Sequence, residues 1–410
     1  VIALRGGRVY DPAQGWAGPG DLYLRDGRVA ALCPPDASAP DGAWRTYDCK
    51  GLLVLPGPID SLCRLGPAPE PWREDADTLA AAAAAGGYSA VMVHTGTADP
   101  AAIASLGRVR RPVRLLPVAA LTAGGRVADL GRLAAAGAVA FSDWPEPIRD
   151  ARLMRRALQY AGGLGLAVVV HPEDAALAGD GVMHEGVRSF AMGLRGIPAV
   201  AETVAVARDA ALQRAFGGRL HFAALSAAGS LALLGDATAA VTAHHLLLTE
   251  AAVDGYNTAA KLSPPLRGEA DRAALLEAVR AGRLTVASGH RPSPAEGKAC
   301  EYDYADFGAA ALETALPAAL EILGAEAFVR ATSVGPARAF GLEGGTLAPG
   351  AVADVAVFDP GAEWDVRPEA FRSRGRTSPL AGRRLRGRAV LTVVGGEVVS
   401  GGLDCCIKMH

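Results

Sequence analysis

Lysine is nearly missing from this chain. It stands at four positions, Lys50, Lys261, Lys298 and Lys408, so almost all of the 41 basic residues are arginine. Against 43 acidic residues they leave a formal net charge of −2, which gives no sign of a nucleic-acid or polyanion partner. Aromatic residues make up only 5% of the chain, so its core is built from small aliphatic side chains. The six cysteines (Cys33, Cys49, Cys63, Cys300, Cys405, Cys406) contain no CxxC spacing, which argues against a thiolate metal site and for a reduced, cytoplasmic compartment. No basic segment followed by an apolar one opens the chain, so no signal peptide is expected. The longest apolar window, Leu79–Val93, is broken by Gly86-Gly87 and reads as helix, turn and strand rather than a membrane span.

What is present is an α/β pattern. The 410 residues are 50% hydrophobic and include 50 glycines, enough for one large domain and one small one. Residues 1–52 form short strand-like pieces, with Gly6-Gly7 and Asp26-Gly27 at expected hairpin turns. This half-sheet has too little apolar area to stand alone, and residues 342–404 offer its complement. The expectation is a small composite β domain from both termini, a domain at 53–341 inserted between them, and a tail at 405–410.

The inserted part alternates strand-like runs (Leu52–Asp60, Ala90–Thr95, Arg114–Leu121, Ala138–Ser142, Leu166–His171, Arg219–Ser226, Val241–Thr249, Leu284–Ser288) with helix-like runs such as Asp77–Ala85 and Ala199–Phe216. Eight strands separated by helices predict a (β/α)8 TIM barrel, whose chemistry belongs at the C-terminal strand ends.

The stretch Leu52–Leu65, LLVLPGPIDSLCRL, resembles the first barrel strand of the amidohydrolase superfamily, Pro-Gly-x-x-Asp-x-His-x-His. There the alternation of a strand turns both histidines toward a binuclear metal centre. Further segments resemble bacterial dihydroorotases in order and spacing: GLGLAVVVHPEDAAL, GVMHEGVRSFAMGLRGIPAVAE, VTAHHLLLTE, KLSPPLR and FGAAALETALP. The resemblance covers nearly the whole chain. It implies an amidohydrolase barrel and a place in pyrimidine biosynthesis, where the family closes carbamoyl-aspartate to dihydroorotate with zinc to polarise the amide and an Asp to move the proton.

Carried across by that resemblance, the first-strand histidines fall on Leu62 and Arg64, and the substrate-binding Arg on Gly66. The family's Asn after strand two falls on His94, the metal-bridging acid on Trp144, and the Asn near Pro-Pro-Leu-Arg on Ser263. The fifth-strand histidine persists as His171. The sixth-strand ligand falls on Ala224, with the first His of its motif kept as His221. The Asp that serves as ligand and base falls on Gly289, beside His290. Five of six metal-side positions (Leu62, Arg64, Trp144, Ala224, Gly289) thus lack a donor, and only His171 keeps one. Zinc needs three or four N, O or S ligands. At an effective dielectric of about 20, Arg64 at about 4 Å from a divalent ion would repel it by roughly 8 kcal/mol.

The expectation is therefore a dihydroorotase-like protein that is catalytically inactive, with no catalytic residues, no metal and no cofactor. In this family some bacteria pair such a silent chain with aspartate transcarbamoylase, as scaffold of a dodecameric complex. The resemblance implies that partner, in a hetero-oligomer, or else a homodimer. Two other readings stand beside it. One is an active amidohydrolase rebuilt around His94, His171, His290 and Asp143. The other is a small-anion binder using Arg64, with His94, Ser263 and Arg267 as further candidates. Asp60 reads as a structural hydrogen-bonding residue, Cys63 as a buried thiol turned from the mouth, and His244-His245 as packing.

Overall fold

The computed structural model describes residues 1–35, 37–65, 72–403 and, as a backbone strand, 405–409. Eight parallel strands form one sheet in chain order: Ile59–Arg64, Ala90–His94, Arg114–Ala119, Ala140–Ser142, Ala167–Val170, Arg219–Phe222, Thr238–Thr242 and Thr285–Ala287. The first and eighth meet through a parallel bridge between Cys63 and His290, with Arg64 N–H donating to His290 O at 2.8 Å. Asp60 locks this seam: its carboxylate accepts from Ser288 N (2.7 Å), from the Ser288 hydroxyl and from Leu62 N (3.3 Å). That is the structural role its position suggested. The barrel expected from the strand count is present, with its strands buried on both faces as parallel strands require.

Helices wrap the outside. Helix Ala76–Gly86 starts at Asp75, whose side chain accepts from Asp77 N and Thr78 N, and ends on Gly87 at φ 98°. Gly86 has no room for a side chain: a Cβ would lie 2.1 Å from Leu312 O, where helix Leu312–Leu323 crosses. No helix among the described residues is long and apolar enough to cross a membrane.

A second sheet joins the two ends of the chain. Its order runs Glu397–Gly401, Arg384–Val394, Val355–Asp365, Leu53–Pro56, Ile2–Asp11, Trp16–Arg25, Arg28–Cys33, with Ala43–Asp48 beside Ile2–Asp11. Three sequence expectations change here. The run Leu52–Asp60, read as one barrel strand, divides: Leu53–Pro56 belongs to the terminal sheet and the barrel begins at Ile59. Both halves are buried throughout, so no change of polarity marks the division. The crossing is at Gly57, where a Cβ would lie 2.4 Å from Ser89 Oγ. Gly6-Gly7, read as a turn, is a bulge inside the strand Ile2–Asp11, held by Asp21 accepting from Gly6 N (2.8 Å) and Arg5 Nε (2.8 Å). The segment read as a tail at 405–410 forms the strand Cys405–Met409 on the free edge of Ala43–Asp48, satisfying that edge's backbone groups. Asp26-Gly27 does form the expected hairpin, both residues at positive φ (51° and 75°).

Candidate functional site

At the C-terminal strand ends an apolar cluster continues the barrel interior up to the mouth. Leu62, Trp144 and Ala224 pack in one buried cluster with Met92, Val169 and Phe340, continuous with the barrel interior. Leu62 is 1% exposed, Trp144 2% and Ala224 0%. Alternation along strand one puts Leu62 in this inner cluster and Cys63 in the outer core under the helices, where burial pushes its thiol well above the usual range. Cys63 is thus the buried thiol the alternation predicted. Among the described residues, Leu62, Trp144, Ser263, Gly289 and Arg291 help to line a cavity of about 10 Å³ at the mouth, about the room of one water.

Most of the polar residues singled out in the sequence have a local partner. Arg64 donates to Trp144 O at 2.6 Å and lies beside Gly96. His94 Nε2 sits 3.1 Å from Ser61 O, and its ring meets the Trp144 ring edge-on with centroids 5.3 Å apart. Burial, with Arg64 adding to it, brings the His94 imidazole down to about 4. His171 Nε2 lies 3.3 Å from Ser263 Oγ and 3.6 Å from Glu173. His221 Nδ1 is 2.8 Å from Thr238 Oγ1, its ring packs on Phe340, and burial brings it to about 3. His290 Nδ1 accepts from Ala311 N (3.0 Å), so its Nε2–H faces Glu74 (3.2 Å). Burial opposes ionisation of Glu74, yet His290, Ser373 and Thr78 outweigh it and hold the carboxyl below its usual range. Asp143 turns away from the mouth and accepts from Leu121 N (2.9 Å), Thr122 N (3.0 Å) and Thr122 Oγ1 (2.7 Å). His244 and His245 are buried on a short helix, Ala243–Leu247, inside the run read as strand Val241–Thr249. Gly66 lies outside the described residues.

The rebuilt-site expectation does not find its geometry. No group of three or more His, Cys, Asp or Glu among the described residues is placed to hold a metal ion. His94, His171, His290 and Asp143 are each engaged on a different neighbour. The donor chemistry does not fit zinc either: Leu, Ala and Gly offer nothing, Trp144 offers only an N–H, and Arg64 brings a positive charge. The anion expectation changes its residues. Arg267 is buried and spent on Ser226 Oγ (3.0 Å), His184 Nδ1 (3.0 Å) and Ile197 O (2.5 Å). The residue that sequence reasoning missed is Arg291. It directly follows His290 on the eighth strand end, and its place next to a motif position was the available signal. Glu74 was missed as well, because nothing in the loop after strand one marks it as the partner of His290.

The Dihydro-orotase-like family matches residues 51–230, and the Amidohydrolase family residues 302–400. Across nearly its whole length the chain is similar to proteins named dihydroorotase. It is 42% identical to that of Anaeromyxobacter sp. (strain K) over 97% of this chain and 98% of the relative. It is 41% identical to that of Pelotomaculum thermopropionicum, with the same coverage. Among solved structures, the L-hydantoinase (dihydropyrimidinase) from Arthrobacter aurescens superposes with a TM-score of 0.86 at 24% identity, covering 98% of this chain and 97% of that one. The dihydropyrimidinase from Brevibacillus agri superposes with a TM-score of 0.84 at 20% identity, covering 100% and 96%. These structures share the barrel and its β-rich companion.

Proposed function

The chain belongs to the dihydroorotase family, and we propose that it is a catalytically silent member of it, kept as an assembly subunit. The observation that carries the reading is the packing of Leu62, Trp144 and Ala224 into one apolar cluster at the mouth. These are three of the positions where the family resemblance places metal ligands. The cavity lined in part by Leu62 and Trp144 is about 10 Å³, smaller than carbamoyl-aspartate or dihydroorotate. The partner that the resemblance implies is the aspartate transcarbamoylase catalytic chain, with this barrel acting as a scaffold beside it.

The competing reading is an active dihydroorotase, favoured by relatives of that name at 42% identity. One experiment separates the two. Purified chain is assayed in both directions with added zinc, and then mixed with aspartate transcarbamoylase from the same source at micromolar concentration for size-exclusion with mass measurement. Silence together with a co-eluting complex supports the proposal. Turnover above background supports the enzyme, and two proteins eluting separately remove the scaffold role. Leu62→His with Arg64→His is expected to restore no activity, because Trp144, Ala224 and Gly289 remain; a rescue by that pair would contradict the placement of the site.

A further inference from the structure

Two of the polar groups that line the mouth, Arg291 and Trp144, can only donate. Arg291 lines the cavity, and its guanidinium has no hydrogen-bond or ion-pair partner among the described residues. Its backbone and stem are fixed, because N–H donates to Ala309 O at 3.0 Å and the chain passes Gly308 closely. A Cβ on Gly308 would lie 2.4 Å from Arg291 O and 2.9 Å from its Cγ. Trp144 lines the same cavity, its Nε1 is buried with no partner among the described residues, and an indole nitrogen can only donate. His244 Nε2 is likewise buried without a partner. Burial brings His244 down to about 3, so the ring is neutral and can present an N–H at either nitrogen. Ser263 supplies a hydroxyl already shared with His171.

The surrounding charge has the same sense. Burial, reinforced by Arg64, lowers Arg291 to about 10, so it stays charged at neutral pH with no counter-ion in contact among the described residues. Asp306 and Glu146 act on it only at a distance, and Asp306 is already paired with Arg73 at 2.8 Å. A half-buried guanidinium that shares a cavity with an orphaned indole N–H is costly to leave unmatched, and one bound anion answers both.

We propose that the barrel mouth is an anion site anchored by Arg291 and completed by Trp144 Nε1, sized for a halide. A cavity of about one water's room suits a monatomic anion better than phosphate or a dicarboxylate. The polarity of the mouth is then opposite to that of a metal centre at the same strand ends. The inference is independent of the assembly role, since it concerns what the pocket holds and not what the chain joins.

Sodium bromide is the probe. Crystals soaked in it are expected to give an anomalous peak in contact with the Arg291 guanidinium. In solution, bromide near saturation is expected to raise the Tm by about 2–4 °C beyond the ionic-strength effect. Arg291→Met, which keeps the stem across Gly308, is expected to abolish that rise. Should this variant fail to fold, Trp144→Phe removes the indole donor with little loss of volume and is expected to weaken the rise. Bromide peaks confined to the outer surface would overturn the site, as would a Tm rise of equal size in wild type and variant. Neither result bears on whether the chain turns over dihydroorotate or binds a partner.

Discussion

Trp144 illustrates how one side chain decides the mouth. Its ring is buried against Leu62, its carbonyl accepts from Arg64, and its edge meets His94. Trp144→Ala is expected to destabilise the fold by about 3–5 kcal/mol, measured by urea unfolding, because a fully packed aromatic leaves a cavity. A change under 1 kcal/mol would mean that the ring does not fill the mouth. The histidines set the pH response. His94 and His245 sit near 4, and His221 and His244 near 3, each held neutral mainly by burial. Their folded pKa values lie below the unfolded value near 6.5, so below that pH the unfolded chain binds more protons. Stability is therefore full above about pH 6.5 and falls on acidification, by up to about 1.4 kcal/mol per pH unit for each histidine. Urea midpoints at pH 7.5, 6 and 5 should decline in that order, and His244→Leu should flatten the decline. A midpoint independent of pH over this range would refute the burial of these rings.

At the level of elements, the eighth strand end shows why an acidic side chain is resisted at position 289. Gly289 has φ 67°, and a Cβ there would lie 2.8 Å from Thr242 Cγ2. Gly289→Asp is expected to lower stability by about 1–3 kcal/mol, through backbone strain and a crowded seventh strand, as read from Tm. A neutral or stabilising outcome would show that the strand end can still accept the family's acid. Strand existence was legible from apolar runs, and the helix Ala199–Phe216 was legible to the residue because Pro198 precedes it and Gly217 follows. The division of Leu52–Asp60 was not legible, since two sheets demand the same buried residues and periodicity cannot tell them apart. The glycines at positions 6 and 7 had the composition of a turn, but only the register with Trp16–Arg25 shows a bulge. His244 to Leu247 reads equally well as strand or helix by hydrophobicity, and their tertiary setting closes them into a helical turn.

The whole molecule joins a barrel to a sheet that both termini complete, so neither end can be removed without exposing a strand edge. Deleting residues 384–401 is expected to leave the chain insoluble or unfolded, because Val355–Asp365 would lose its antiparallel neighbour. A truncated chain with the full Tm would contradict the composite sheet. At this scale the sequence was most informative about the positions where the family resemblance places metal ligands: Leu62, Ala224 and Gly289 carry no ligating side-chain atom. It was least informative about how the residues at those positions pack. Nothing in the one-dimensional order reveals that Trp144, Arg291 and His244 gather at one cavity, since they come from three separate strand ends. The central claim is that this gathering excludes a catalytic metal. The most direct measurement is a zinc-edge anomalous map of crystals grown with excess zinc. The account predicts no ordered zinc at the mouth bounded by Leu62, Trp144 and Gly289; an ion coordinated there through His171 would contradict it.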